Sequence, residues 1–320
     1  MTDPAGKLLR VSVIICAHQP NPHHLARTLT ALQSQSLPYD AWELLVVDNQ
    51  STPPLALVDR LAWHPHARCI REEHLGLTPA RCCGIRHTSG DLLVFVDVDN
   101  VLQYDYLFQA LDIASRHPKL GLWSGQAHPE FEEPPAQWTL PYWPMLAVRE
   151  FDEDSIMMHF NPASPLPHGA GMCLRREVAT TYLKEVSTTR WRLLLERKGQ
   201  SLMSGGDSDM ALLSLQQGWG LGHFTQLHLH HLIPPNRLTE SYLLRLKASM
   251  AASGVLLDHF HRTPPPPRAS PLRRFLRYLK AVICYRGLDR RMQLAILNGE
   301  RTGWHMLHGL QTESPTSIRR

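Results

Sequence analysis

The residues with the most chemical capacity fall in three short clusters. Phe95-Val96-Asp97-Val98-Asp99-Asn100 places two carboxylates two residues apart behind an apolar run. Such a pair can gather a hard divalent cation, Mg²⁺ or Mn²⁺, which prefers oxygen ligands and keeps sites open for phosphate oxygens and water. A strand followed by an Asp/Asn turn accounts for the same residues without a ligand. Ser204-Gly205-Gly206-Asp207-Ser208-Asp209-Met210 sets two glycines, over which a ligand can approach the backbone, before two carboxylates. Asp207 can act there as a general base. Asp209 can instead be a helix-start carboxylate favoured by the helix dipole. In His228-Leu229-His230-His231-Leu232-Ile233-Pro234-Pro235-Asn236-Arg237, histidines on a strand can supply one metal ligand, His230 or His231. No Cys pair accompanies them, which disfavours a dedicated zinc site.

The elements that must position these clusters follow from the apolar pattern. Over the first ~125 residues, strands alternate with helical segments, the order of a doubly wound α/β sheet. Val11–Cys16, Trp42–Val47, Arg68–Arg71, Leu92–Val96 and Leu120–Ser124 read as strands. Asn21-Pro22 supplies an N-cap and a first-turn proline for a helix reaching about Ser34. Thr78-Pro79 opens another helix, and Tyr104–Arg116 reads as a third. Ligands of open parallel sheets bind outside the carboxyl ends of the strands. Polar residues gather at those ends: His18 after strand one, Asp48 after strand two, Glu72 and Glu73 after strand three, Asp97 and Asp99 after strand four. Neither GxGxxG nor GxxxxGK[ST] follows a strand, which disfavours dinucleotide and P-loop folds.

Residues 128–167 are rich in Pro, Trp and acidic side chains and read as a long loop, a lid in which Trp138, Tyr142 and Trp143 could stack on a bound ligand or pack beneath the loop. A second ordered block runs from Gly169 to about His261. It holds a helix after Asp207, a strand near Gly222–Leu229 and a helix over Thr239–Leu257. Three parts are therefore expected: 1–125, 126–261, and a tail, 262–320, opened by the stiff linker Thr263–Arg268.

In this order, the motifs resemble the family 2 glycosyltransferases of the GT-A fold, over roughly residues 10–250. The matching pieces are Val11–Ala17, Leu45-Val-Val-Asp48-Asn-Gln-Ser51, Gly76–Arg81 with Gly84-Ile85, Phe95–Asn100, His168-Gly-Ala-Gly-Met172, Gly205–Met210, and His231–Pro234 with Arg237. The likeness is nearest to bacterial enzymes that build surface polysaccharides. It implies a mostly parallel GT-A sheet with a C-terminal acceptor-binding half. It implies inverting transfer of a sugar from a nucleoside diphosphate to an acceptor hydroxyl on a glycan or lipid-linked acceptor. Ala17, His18, Asp48, Glu72, Arg81 and Asp97 would contact the nucleotide sugar, with Gly169, Ala170 and Gly171 lining the sugar cleft. Asp99, with Asp97 and His230 or His231, would hold Mn²⁺ or Mg²⁺, and Asp207 would deprotonate the acceptor. Asp209 and Arg237 complete the candidate set. Two departures stand out: Gly206 replaces the usual Glu, and Cys82 the usual Asn.

Two other readings compete. A degenerate transferase fold would bind a nucleotide sugar without turnover, and Gly206 favours it. Asp97-Val-Asp99 also resembles the first motif of haloacid-dehalogenase-like phosphatases. That motif ends the first strand of its fold, whereas three strand–helix units precede it here.

Composition narrows the partners. Hydrophobic residues make up 43% and charged residues 19%, ordinary for a folded chain. No apolar run approaches the roughly 18 residues needed to span a bilayer, and no secretory cleavage site follows Val11–Ala17. Six cysteines without paired spacing fit a reduced, cytoplasmic chain. The net charge of +4 is uneven: residues 262–320 hold twelve Lys/Arg against three Asp/Glu. Basic charge confined to the tail argues against a nucleic-acid partner. In that tail Leu272, Phe275, Leu276, Leu279, Val282 and Ile283 recur at helical spacing among Arg273, Arg274, Arg277 and Lys280. Such a helix suits peripheral contact with the inner face of an anionic membrane, or packing on the enzyme.

Overall fold

The structure, a computed structural model, describes residues 1, 6, 8–199 and 201–312. The tail residues 313–320 lie outside the described residues. The N-terminal half is wound as the sequence pattern requires. β1 (Val11–Ala17) leads to α1 (Pro22–Gln33), and β2 (Trp42–Asn49) to the single turn α2 (Val58–Leu61). β3 (Ala67–Glu72) leads to α3 (Leu77–Arg86), and β4 (Leu92–Val96) to the short β5 (Asn100–Leu102) and α4 (Tyr106–Arg116). The Asn21 side chain accepts from the N–H groups of His23 and His24, the cap expected for α1.

The chain continues through β6 (Leu120–Phe131), a 3₁₀ segment (Gln137–Leu146), β7 (Ser155–Met157), β8 (Cys173–Arg175) and α5 (Arg176–Thr188). A 3₁₀ turn (Arg190–Leu194), α6 (Gly206–Gln216), β9 (Gly220–Ile233), a 3₁₀ turn (Pro235–Leu238) and α7 (Glu240–His261) follow. The tail forms α8 (Pro271–Cys284) and α9 (Gly287–Thr312).

The nine strands of the described residues join one sheet, in the order β3-β2-β1-β4-β8-β6-β9-β5, with β7 on β9. β3, β2, β1 and β4 are mutually parallel. β8 enters antiparallel between β4 and β6, and β6 and β9 run parallel. The fold is thus the expected GT-A-like α/β architecture, parallel on one side and mixed on the other. Strands from both sides of residue 125 share this sheet.

Alternation along the strands sorts the core into two layers. Val11, Val13 and Ile15 pack with Leu25, Leu29 and Leu32 of α1 and Leu107 and Ala110 of α4. Ile14, Leu45 and Val47 face the other layer, with Ile85 of α3, Val178 of α5 and Met210 of α6. In register, Ala17 lies opposite Asp48, and Asp48 opposite Arg71. The carboxyl ends of the parallel strands therefore form one edge, and Asp97 and Asp99 emerge there.

Two features depart from the sequence reading. The segment 128–167 is shorter as a loop than expected, because β6 runs to Phe131, and the 3₁₀ segment and β7 follow. The tail holds two helices rather than one, and α9 belongs to the core. A Cβ at Gly299 would stand 2.0 Å from the Ala248 carbonyl oxygen, and one at Gly303 would stand 2.7 Å from that of Ala252. Glycine at these two positions lets α9 lie directly on α7. No helix among the described residues is long and apolar enough to cross a membrane.

α3, which carries Arg81, approaches β1 through Gly84, where a Cβ would stand 2.4 Å from Ile14 Cγ2. Gly84→Val should destabilise the chain by about 1–3 kcal/mol, the usual cost of overpacking a core. Urea denaturation measures this, and an unchanged midpoint would contradict the packing described.

Candidate functional site

A cleft of about 460 Å³ opens at the carboxyl edge of the parallel strands. Its walls come from β1 (Ala17, His18), from Asp97 and Asp99 beyond β4, from α3 (Arg81), from Gly169 and Ala170, from Asp207 on α6, and from His231 and Arg237. Residues more than 200 positions apart thus meet in one cavity of ligand-binding size.

Asp99 is buried, and the fold explains its neighbours. β5 pairs antiparallel with β9, with Asn100 opposite His231. This brings His231 Nε2 to 3.6 Å and Arg237 Nη2 to 2.9 Å from Asp99 Oδ2. Burial works to raise the Asp99 carboxyl, yet the charges of His231 and Arg237 hold it well below the usual carboxylate range. Asp97 is raised, first by burial and then by Asp99 beside it. His230 takes no part. Successive side chains of a strand point to opposite faces, and His230 is exposed beside His128, its ring centroid 6.0 Å away. Of the two adjacent histidines proposed as metal ligands, only His231 is near the carboxylates.

Among the described residues no group of three His, Cys, Asp or Glu side chains is arranged as a metal cage. Mg²⁺ and Mn²⁺ do not require one when phosphate oxygens and water fill the remaining positions. Two carboxylates and one imidazole facing a polar cleft are a donor set that fits such a cation.

The second cluster divides cleanly. Asp207 Oδ2 accepts from Gly169 N–H at 2.9 Å and Oδ1 from Ser208 N–H at 2.9 Å, and Asp207 lines the cleft. Asp209, fully buried two residues on, does not. Its Oδ1 is paired with Arg192 and lies 2.6 Å from His261 Nε2, so it ties α6 to the Arg190–Leu194 turn and to the end of α7. Gly171, with φ +66°, leaves the cleft wall. Its carbonyl accepts from the Tyr106 hydroxyl at 2.7 Å, and a Cβ there would stand 2.4 Å from that oxygen.

Two of the proposed nucleotide contacts point elsewhere. Asp48 is buried behind the cleft. Its oxygens accept from Ser51 N–H at 2.9 Å, Leu55 N–H at 3.1 Å and Arg71 at 3.0 Å. Burial works to raise it, but these hydrogen bonds and Arg71 hold it lowered. Its neighbour Asn49 lines the cleft instead. Glu72 accepts from His74 N–H and also lies outside the lining. From the segment 128–167, residues Pro144–Ala147 reach the cleft, whereas Trp138, Tyr142 and Trp143 do not. Trp143 packs on Phe131, centroids 4.6 Å apart.

The sequence reading missed Glu196. It follows the Arg190–Leu194 turn, is only 6% exposed and lines the cleft, where Oε1 accepts from Arg81 Nη1 at 2.7 Å. Burial, with Asp207 and Asp97 adding to it against the pull of Arg81, pushes the Glu196 carboxyl up to about 7. The only signal in the sequence is a lone acid after the apolar run Leu193–Leu195. Arg149, Arg197 and Lys198 also line the cleft and add positive charge.

With this geometry established, comparison with known proteins is decisive for the family. The model of glycosyl transferase family 2 matches residues 12–183, more than half of the chain. The chain belongs to glycosyl transferase family 2. The matched stretch runs from β1 into α5, with Asp97, Asp99, Arg81 and Gly169, but stops before Asp207. The chain is 29% identical over 121 residues to the inactive polypeptide N-acetylgalactosaminyltransferase-like protein 5 of Macaca fascicularis. That alignment covers 36% of this chain and 27% of the relative. The curated relatives are thus matched over less than a third of their length. Two solved structures share the fold across nearly the whole chain. Mannosyltransferase PcManGT from Pyrobaculum calidifontis, in complex with GDP-Man and Mn²⁺, has a TM-score of 0.58 at 17% identity, covering 95% of this chain and 89% of that one. S. aureus TarS 1–349, in complex with UDP-GlcNAc, has a TM-score of 0.51 at 12% identity, covering 94% and 92%.

The division between the two α6 carboxylates can be tested by stability alone. Asp209→Ala leaves Arg192 buried without its main partner and should cost about 3–5 kcal/mol. Asp207→Asn should cost less, about 1–2 kcal/mol, because its one amide oxygen keeps one of the two backbone N–H partners and no buried ion pair is broken. Equal losses in chemical denaturation would contradict the assignment.

Proposed function

We propose that the chain transfers a sugar from a nucleoside diphosphate to an acceptor hydroxyl with inversion, using Asp207 as general base. The observation that carries this reading is the position of Asp207, pinned by Gly169 N–H in the same cleft as Asp97 and Asp99. Family membership and two structural neighbours holding nucleotide sugars support it. Asp207 takes the proton of the acceptor hydroxyl, and that oxygen attacks the anomeric carbon. The bond from that carbon to the diphosphate breaks on the opposite face, so the diphosphate leaves with the bonding electrons. Arg237, beside Asp99, supplies positive charge where that leaving group develops negative charge. When bound, a divalent cation held by Asp99 and Asp97 would neutralise the diphosphate further, and the Mn²⁺ of PcManGT supports this choice of metal. Ala17, His18, Arg81, Gly169 and Ala170 would shape the donor site. A catalytically degenerate binder remains the competing reading, and the inactive-labelled relative favours it. Turnover separates the two: Asp207→Asn should keep donor binding and lose about 10²–10⁴ of transfer rate, the usual contribution of a general base. A wild-type chain that binds donor and never turns over, or an Asp207→Asn chain as fast as wild type, would refute this role.

The acceptor is proposed to be lipid-linked, with α8 as the membrane contact. α8 is turned inside out relative to an ordinary surface helix. Ala281 is buried and Arg277 forms a bidentate pair with Glu300 of α9 at 2.6 and 2.7 Å. The apolar stripe points away: Leu272 is 67% and Ile283 71% exposed, with Phe275 and Leu276 between them also exposed. Arg273 and Lys280 flank this stripe on one side, as suits a helix lying among anionic headgroups. The chain should co-sediment with phosphatidylglycerol-containing vesicles at low salt, less so as salt rises, and much less with phosphatidylcholine alone. Leu272→Asp with Ile283→Asp should abolish binding without moving the melting temperature. Equal sedimentation of both chains, or none on anionic vesicles, would assign the stripe elsewhere.

A further inference from the structure

Position 206 is where this chain departs from the carboxylate its motif leads one to expect, and the structure accounts for the space. A Cβ at Gly206 would stand 1.8 Å from Glu196 Oε1 and 2.4 Å from its Cδ. The site of the missing side chain is therefore filled by a carboxylate from ten residues earlier. The backbone holds it there, since Gly205 N–H donates to the Leu195 carbonyl at 2.8 Å. Arg81 fixes the carboxylate at 2.7 Å. That single hydrogen bond leaves most of the acceptor capacity of a buried carboxylate unused. Oε2 has no hydrogen-bond partner among the described residues, and it is not one of the sealed polar atoms. A buried charge with one oxygen turned to a cleft is costly unless something there donates to it.

We propose that Glu196 binds a hydroxyl of the acceptor sugar, taking from a distant loop the place that a side chain at 206 would occupy. Its position beside Asp207 sets it next to the hydroxyl that loses its proton, and Arg81 holds it in the orientation that reads the neighbouring hydroxyl. Glycine at 206 is on this account a requirement of the site and not a sign of decay. The inference rests on the transferase reading, and its test separates the two.

The experiment measures initial rates with UDP-GlcNAc and with GDP-mannose as donors against a panel of p-nitrophenyl glycosides as acceptors. Glu196→Ala should raise the acceptor KM by about tenfold to a hundredfold, as for loss of a hydrogen bond to a charged group. The donor KM should stay within roughly twofold. Gly206→Glu alone should be inactive and melt at lower temperature, because two carboxylates then compete for one space. The double variant Glu196→Ala with Gly206→Glu should recover both the melting temperature and much of the acceptor KM. Glu196→Gln, of the same shape, covers the case in which the alanine variant does not fold and should show a smaller rise in acceptor KM. An unchanged acceptor KM in Glu196→Ala and Glu196→Gln, a rise confined to the donor KM, or a double variant no better than the single ones would overturn the proposal. Absence of transfer by the wild-type chain in every combination would remove the transferase reading itself, and this inference with it.

Discussion

Crowding of like charge in one poorly solvated cleft is the constraint on which the rest of the molecule depends. Asp97, Asp99, Glu196 and Asp207 all line it. Repulsion between buried carboxylates is severe unless cations or ordered N–H groups compensate. Three of these acids have their own compensation, drawn from different parts of the chain. Arg237 and His231 serve Asp99, Arg81 serves Glu196, and the Gly169 N–H serves Asp207. The single mixed sheet makes this possible. β8 brings the 169–172 backbone beside β4, and β9 brings His231 beside β5. The cleft is thus a product of the whole topology, not of either half. Asp97 stays raised even so, first by burial and then by Asp99 beside it.

How legible this was depended on whether a role is local. The parallel strands, the Asn21 cap and the strand-end acids Asp97 and Asp99 follow from apolar runs and local turn chemistry, and the structure keeps them. What separates neighbouring candidates is contacts from far along the chain. Asp207 and Asp209 are two residues apart on α6, and only the distant Arg192 and His261 make one structural and leave the other to the cleft. His230 and His231 differ by one strand position, which places them on opposite faces. Asp48 looked like a ligand contact because it ends a strand, but the turn it closes on Ser51 and Leu55 consumes it. Glu196 was invisible because its partner Arg81 lies 115 residues away.

The tail shows the same division. Its apolar stripe was evident from spacing, but spacing does not say which way the stripe faces. Contact decides that: Arg277 and Ala281 of α8 meet α9, and the apolar side is left outward. α9 itself carried no clear signal. Its docking rests on Gly299 and Gly303, and small residues reveal a helix contact only once the partner helix is known. The result is a packed C-terminal pair, α7 and α9, that also buries Met292 and Leu307 and carries α8 as an outer, basic helix.

The central claim is that the acids at the carboxyl edge of this sheet bind a nucleoside-diphosphate sugar together with a divalent cation. Calorimetric titration of UDP-GlcNAc and of GDP-mannose into the full chain tests it most directly, with Mn²⁺ and with EDTA, for wild type and Asp99→Asn. The account predicts saturable binding of one donor with Mn²⁺, weakened by at least about tenfold both by EDTA and by Asp99→Asn, the scale of one lost charge contact. Donor binding that is indifferent to Mn²⁺ and to Asp99, or no binding of any nucleotide sugar, would contradict it.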